Sequence, residues 1–136
     1  MKARKHSKKR DEILRILRET NAHPSALWVY DKLRYTIPDL SLGTVYRNLS
    51  LFREEGSVIR VAVVDGEERF DAWTAPHPHL ICVKCNRVYD FPEPGEAMLK
   101  WVADNSPGYD IDFRRTLFYG ICADCKNMAR EDPELC

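Results

Sequence analysis

Two cysteine pairs constrain this chain more than any other feature. Cys82-Val-Lys-Cys85 and Cys122-Ala-Asp-Cys125 each place two thiols around a two-residue spacer. That spacing lets both sulfurs of one turn point at a single ion. Together the pairs predict a tetrahedral zinc site with four thiolate ligands, with an iron–sulfur cluster or a dithiol redox pair as the alternatives. The pairs are further apart than in a zinc ribbon, so each is expected on a different strand or turn. Four thiolates fill the coordination shell and leave no position for water or substrate, so the zinc site is expected to be structural and not catalytic. Cys136 has no such partner and reads as a free terminal thiol.

Metal ligation is favoured over disulfides by the rest of the composition. No apolar run in the 136 residues approaches a membrane span, which needs roughly 20 residues. The N-terminus MKARKHSKKR is charged with no apolar stretch behind it, unlike a secretory signal. A cytoplasmic location without membrane attachment is therefore expected, and there thiols stay reduced. The formal net charge of zero hides an asymmetry. Residues 1–60 carry 13 Lys/Arg against 7 Asp/Glu, and residues 61–136 carry 8 against 14. A basic half suits a polyanion such as DNA. The acidic half, which holds all the cysteines and two of the four histidines, suits metal cations.

The basic half patterns as three helices and a hairpin. The arm from Lys2 to Arg10 can touch phosphates by charge. Ser7 is an N-cap candidate, and Ile13, Ile16 and Leu17 give helical spacing over 8–20. Ser25 can cap a short helix with Leu27, Trp28 and Leu33 on its apolar side. Tyr35 to Leu40 read as a loop. Ser41 then caps a helix whose Leu42, Val45, Leu49 and Phe52 share one face, with Gly56 as its stop. The opposite face shows Gly43, Thr44, Arg47, Asn48 and Ser50, with Tyr46 at its edge. Small and hydrogen-bonding side chains suit entry into a major groove. Beyond it, Ile59, Val61 and Val63 alternate, Asp65-Gly66 signals a tight turn, and EERFD returns as a second strand. The pattern is that of a winged helix-turn-helix.

In the acidic half, His77 and His79 lie two apart on an extended segment and so face one side. Asp71 and Asp90 are the nearest carboxylates. Imidazole with carboxylate makes a harder site than four thiolates and suits Fe²⁺, Mn²⁺, Co²⁺ or Zn²⁺. A helix is expected over Gly95–Asn105, with Ala97, Met98, Trp101 and Val102 packed in a core, ended by Ser106-Pro107-Gly108. DIDFRRTLFYGIC is expected as a strand pair or one long strand, with Leu117, Tyr119 and Ile121 alternating. So small a unit exposes strand edges, and dimerisation through a shared sheet would bury one. The expected fold class is α/β (α+β), with residues 1–73 as a winged-helix DNA-binding domain. Residues 74–136 are then an α/β dimerisation and metal-binding domain.

These pieces resemble the ferric uptake regulator (Fur) family of metal-dependent repressors over about residues 7–126. The resemblance is carried by AHP at 22–24, SLGTVYRNLSLFREEG at 41–56, RFD at 69–71, HPHLICVKC at 77–85, YDF at 89–91 and YGICADC at 119–125. It implies a homodimer that binds a double-stranded DNA operator, and a structural Zn²⁺ on Cys82, Cys85, Cys122 and Cys125. It further implies a regulatory Fe²⁺ or Mn²⁺ held between the domains by His23, Asp71, His77, His79 and Asp90. Base readout is expected from Tyr46 and Arg47, with Ser41 and Thr44 near phosphates.

Within the family the chain is most similar to the peroxide-sensing (PerR) branch, because Asp90 stands where iron-sensing members more often carry Glu. The second site of iron sensors, built partly from a His-His-Asp-His run and a later histidine, looks absent. The run here is Pro76-His77-Pro78-His79, and Arg114 and Arg115 stand where the later histidine would fall. The resemblance then implies that peroxide oxidises His23 or His77 and lifts repression. The alternative is a regulator of iron, manganese or zinc uptake that senses metal level alone. An extra helix ahead of the winged domain, present in many relatives, is expected to be missing. A zinc hydrolase or deaminase is disfavoured, since a catalytic zinc needs an open position and His79 is followed by Leu80 and Ile81, not by the HxE of a deaminase. No phosphate loop or nucleophile elbow appears, so no enzyme activity is expected.

Overall fold

Serine side chains start each of the first three helices. Ser7 Oγ accepts from the Arg10 N–H (3.4 Å) and opens α1, Lys8–Glu19. Ser25 Oγ accepts from Trp28 N–H (3.1 Å) and opens α2, Ala26–Leu33. Ser41 Oγ accepts from Thr44 N–H (3.1 Å) and opens α3, Leu42–Glu55. Each satisfies a backbone donor that the first helical turn leaves unpaired. Gly56, at φ 79°, closes α3 and donates to the carbonyls of Phe52 and Arg53, a left-handed cap that suits glycine. The computed structural model describes residues 7–131, so residues 1–6 of the basic arm and Cys136 lie outside the described residues.

The chain divides after Thr74 into two units. In the first, Ile13 and Leu17 of α1, Val29 and Leu33 of α2, and Val45, Leu49 and Phe52 of α3 form one core. Ile37 and Leu40, from the loop after α2, are buried in it too. One expectation fails in α2. Its buried residues are Ala26, Val29 and Leu33, whereas Leu27 is 43% exposed. The i, i+3, i+7 row through Val29 sets the rotation of the helix and turns Leu27 outward.

Strands β1 (Ile59–Val64) and β2 (Glu67–Asp71) pair antiparallel as the wing. Asp65 and Gly66 both take positive φ (51° and 79°), as a two-residue type I′ turn requires. The register slips at Val61, since Arg60 faces Phe70 and Ala62 faces Arg69. This bulge overturns the expected alternation. Val61 and Val64 are buried while Val63 is 53% exposed, because one extra residue moves every later side chain to the other face.

The second unit is built on a three-stranded sheet in the order β4-β3-β5. Central β3 (His79–Cys82) pairs antiparallel with β4 (Val88–Asp90) and parallel with β5 (Leu117–Gly120). Helix α4 (Glu96–Asn105) lies between β4 and β5 in sequence. Helix α5 (Ala123–Glu131), which the sequence pattern did not suggest, follows β5. The expected long strand shrinks to four residues. Ahead of it, Phe113–Arg115 form a 3₁₀ turn in which Asp112 accepts from the Arg114 backbone N–H (3.0 Å) and its guanidinium (3.1 Å). That carboxylate caps a turn where extension was expected.

The expected burial of α4 is also overturned. None of its residues is buried, and Trp101 is 66% exposed. Strands of three and four residues make too small a platform to cover an amphipathic helix. No described helix is long and apolar enough to cross a membrane.

Leu49 is the sharpest test of the first core, being 1% exposed in α3. Leu49→Ala is expected to cost about 2–5 kcal/mol, read as a lower urea midpoint by a probe specific to residues 7–74.

Candidate metal centre

The four paired cysteines converge. Their sulfurs all lie within 4.8 Å of one another, with Cys82 Sγ 3.8 Å from Cys125 Sγ and Cys85 Sγ 3.8 Å from Cys122 Sγ. Four sulfurs about 2.3 Å from one zinc ion stand about 3.8 Å apart at the corners of a tetrahedron. The donor set and its spacing therefore fit zinc.

The backbone makes this arrangement. Cys82 ends β3, and its carbonyl accepts from Asn86 N–H (2.9 Å). Asn86 takes φ 62°, and the chain reverses tightly around Cys82–Cys85. Cys122 stands one residue ahead of α5 and accepts from Lys126 N–H (2.9 Å). Two backbone N–H groups point at sulfur: Cys122 N to Cys82 Sγ (3.3 Å) and Cys125 N to Cys122 Sγ (3.4 Å).

These donors favour thiolates. Burial alone would raise the Cys82 thiol, but backbone N–H groups of Cys122, Cys85 and Lys84 outweigh it and bring it down to about 6. Cys122 is likewise lowered, first by the Cys125 N–H and then by the Tyr89 hydroxyl. Tyr89 packs against the sulfurs.

Each unit carries histidine beside an aspartate. In the second unit His79 faces Asp90 across the β3–β4 ladder. Asp90 Oδ1 lies 2.9 Å from His77 Nε2 and 3.3 Å from His79 Nε2. Both rings are fully buried. His77 Nδ1 lies 2.6 Å from the Ala75 carbonyl oxygen. A carbonyl only accepts, so Nδ1 carries the proton, and in neutral imidazole Nε2 then presents a lone pair. That lone pair meets the Asp90 carboxylate, so a second proton or a cation is needed between them. Octahedral donors about 2.1 Å from an ion stand about 3 Å apart, close to the two distances from Asp90 Oδ1. The residues fit a metal ion.

In the first unit His23 Nε2 lies 3.2 Å from Asp71 Oδ2. Asp71 ends β2, and its other oxygen accepts from Trp73 N–H (2.8 Å). His23 is buried and takes φ 50° ahead of Pro24. A side chain bearing Cβ adopts that region at a cost of about 1–2 kcal/mol, so tertiary contacts must hold it. The Arg69 guanidinium donates to the carbonyls of Ala22 (2.8 Å) and His23, and Phe70 N–H donates to Pro24 O (3.0 Å). Sequence reasoning singled out Asp71 in RFD and passed over Arg69, whose partners lie more than 40 residues away.

The exposed face of α3 is polar and ordered at its start. Tyr46 is 49% exposed and Arg47 is exposed. Arg47 donates to Thr44 Oγ1 (2.9 Å), which lies 2.9 Å from Ser41 Oγ. Ser41 and Thr44 are thus engaged in capping. A Cβ on Gly43 would stand 3.3 Å from Arg47 Nη1, so glycine there gives the guanidinium room.

Cys82→Ser is expected to lower bound zinc from about one ion per chain to near none. It should also lower the thermal midpoint of the second unit, because structural zinc contributes folding free energy. Zinc by atomic emission and a calorimetric scan read both.

Residues 2–112 match the pattern of the Ferric uptake regulator family. The chain is 37% identical over 116 residues to the Peroxide operon regulator of Bacillus subtilis (strain 168), covering 85% of this chain and 80% of that protein. A structure of the ferric uptake regulator from Francisella tularensis with iron superposes with a TM-score of 0.71 at 31% identity, covering 90% of this chain and 94% of that one. A zinc-bound manganese uptake regulator superposes with a TM-score of 0.70 at 29% identity, covering 88% and 91%. With the paired cysteines, the winged unit and the histidine–aspartate groups in place, the chain belongs to the ferric uptake regulator family.

Proposed function

We propose that this member of the family is a peroxide-responsive repressor whose DNA binding depends on a regulatory metal ion. The observation that carries the reading is the donor chemistry of three histidines and two aspartates. His77 and His79 share the Asp90 carboxylate, and His23 faces Asp71. On this reading all five ligate one Fe²⁺ or Mn²⁺, so residues 1–73, as DNA-binding domain, and residues 74–136 are tied together. Cys82, Cys85, Cys122 and Cys125 hold a structural Zn²⁺ throughout. The 37% identity to a peroxide operon regulator supports the choice of signal.

Bound iron would supply the reducing power that activates hydrogen peroxide. In net terms one peroxide oxygen is added to an imidazole carbon of His23 or His77, and the other leaves as water. An oxidised ring is a weaker base and a poorer ligand. Mn²⁺ would support DNA binding without this chemistry.

The exposed side of α3, with Tyr46, Arg47, Ser41 and Thr44, is assigned to an operator in double-stranded DNA. A homodimer would present two such helices to successive major-groove faces. Trp101 and Leu99 of α4 and Tyr119 of edge strand β5 are exposed, and a second copy would cover such a surface. Trp101→Ala is expected to raise the dimer dissociation constant at least about tenfold, by analytical ultracentrifugation, with zinc content unchanged.

The deciding experiment compares operator binding by Fe²⁺-loaded and Mn²⁺-loaded protein before and after micromolar peroxide. Mass spectrometry follows the peptides that hold His23 and His77. The expected result is loss of DNA by the iron form alone, with one added oxygen on either peptide. If both forms ignore peroxide and binding follows metal concentration, the protein is a metal-level regulator.

A further inference from the structure

We infer that Arg69 is a positioning residue for the regulatory metal: its guanidinium pins the carbonyls of Ala22 and His23 and so presents the His23 imidazole to Asp71. The inference rests on the reading of His23 as a ligand.

The loop between α1 and α2 has few means of its own to hold this shape. Residues 20–24 have no helical ladder, and Ala22 N–H donates to Thr20 Oγ1 (3.1 Å). Pro24 offers no N–H, and the residue before a proline favours extended backbone. His23 instead takes φ 50°. Something outside the loop must hold that conformation.

Strand β2 supplies the hold at three adjacent positions. Side chains two apart on a strand share a face, so Arg69 and Asp71 project together while Phe70 turns into the core, 2% exposed. Arg69 takes the two loop carbonyls, the Phe70 N–H takes the Pro24 carbonyl, and Asp71 meets the ring. The guanidinium fork suits two neighbouring acceptors, whereas an ammonium is a point donor. The Arg69 side chain is half-buried. The side chain is therefore drawn partly out of water to make these bonds. Without it, the loop is expected to relax to negative φ and carry the His23 ring away from Asp71.

The test uses full-length zinc-loaded protein and Mn²⁺ as the probe, titrated calorimetrically. His23→Ala, Arg69→Gln and Arg69→Lys are compared with the wild-type chain. Removing a residue that orients a ligand typically costs about 10–100-fold in metal affinity, and that loss is expected for Arg69→Gln. Arg69→Lys should recover part of it. Zinc content and the amide shifts of α2 and α3 should not change, while the metal-free backbone shifts of His23 should leave their left-handed values. If His23→Ala binds Mn²⁺ as tightly as wild type, the ligand reading itself fails. If His23→Ala loses affinity but both Arg69 variants bind normally, the ligand reading stands and the positioning role is overturned. Should Arg69→Gln not fold, Arg69→Lys decides alone: wild-type affinity with unchanged loop shifts overturns the proposal.

Discussion

The sulfurs of Cys82 and Cys125 lie 3.8 Å apart, as do those of Cys85 and Cys122. This spacing ties the turn after β3 to the segment between β5 and α5. The second unit depends on it because little else there is buried. Its sheet has strands of three and four residues, and α4 buries none of its side chains. A unit this small gains too little from apolar burial to offset chain entropy. A metal cross-link between distant segments supplies the difference, as it does in other small domains. The first unit has no such need, since three helices and the wing share one core.

The cysteine cross-link also places the histidines. His79 and Cys82 are the two ends of β3, so fixing one end fixes the ladder that sets His79 against Asp90. The structural centre thereby orients part of the regulatory one without sharing a ligand with it. In the first unit β2 has the corresponding task. It ends on Asp71 and carries Arg69 on the same face, and the wing is thus also the support of the His23 loop.

The cysteine spacing, the three serine caps, Gly56 and the Asp65-Gly66 turn were legible in the sequence because each acts over a few residues. The histidine pair was legible too, since a period of two governs any extended segment. What escaped the sequence depends on distant partners. The bulge at Val61 exists only relative to β2, and it reversed the phase expected for Val63. Arg69 matters through carbonyls in another part of the chain. The long strand ahead of Cys122 was lost to Asp112, whose side chain captures the Arg114 N–H. The apolar side of α4 was read correctly as apolar, but hydrophobic patterning does not say which molecule will cover a face. Helix α5 was missed because its sequence, ADCKNMARE, is polar on average.

On the proposed reading, two of five regulatory ligands precede Thr74 and three follow it. An ion that uses all five would tie the two units to one another. It can favour the DNA-binding arrangement by no more than its own difference in affinity between arrangements. Reciprocity follows: whatever factor the metal adds to operator affinity, the operator adds to metal affinity. Oxidation of one imidazole would then act on DNA binding by removing that difference. The four-thiolate centre takes all its ligands from one side of Thr74, so it does not itself tie the two units together. That distinction, more than the identity of either metal, separates the structural centre from the regulatory one.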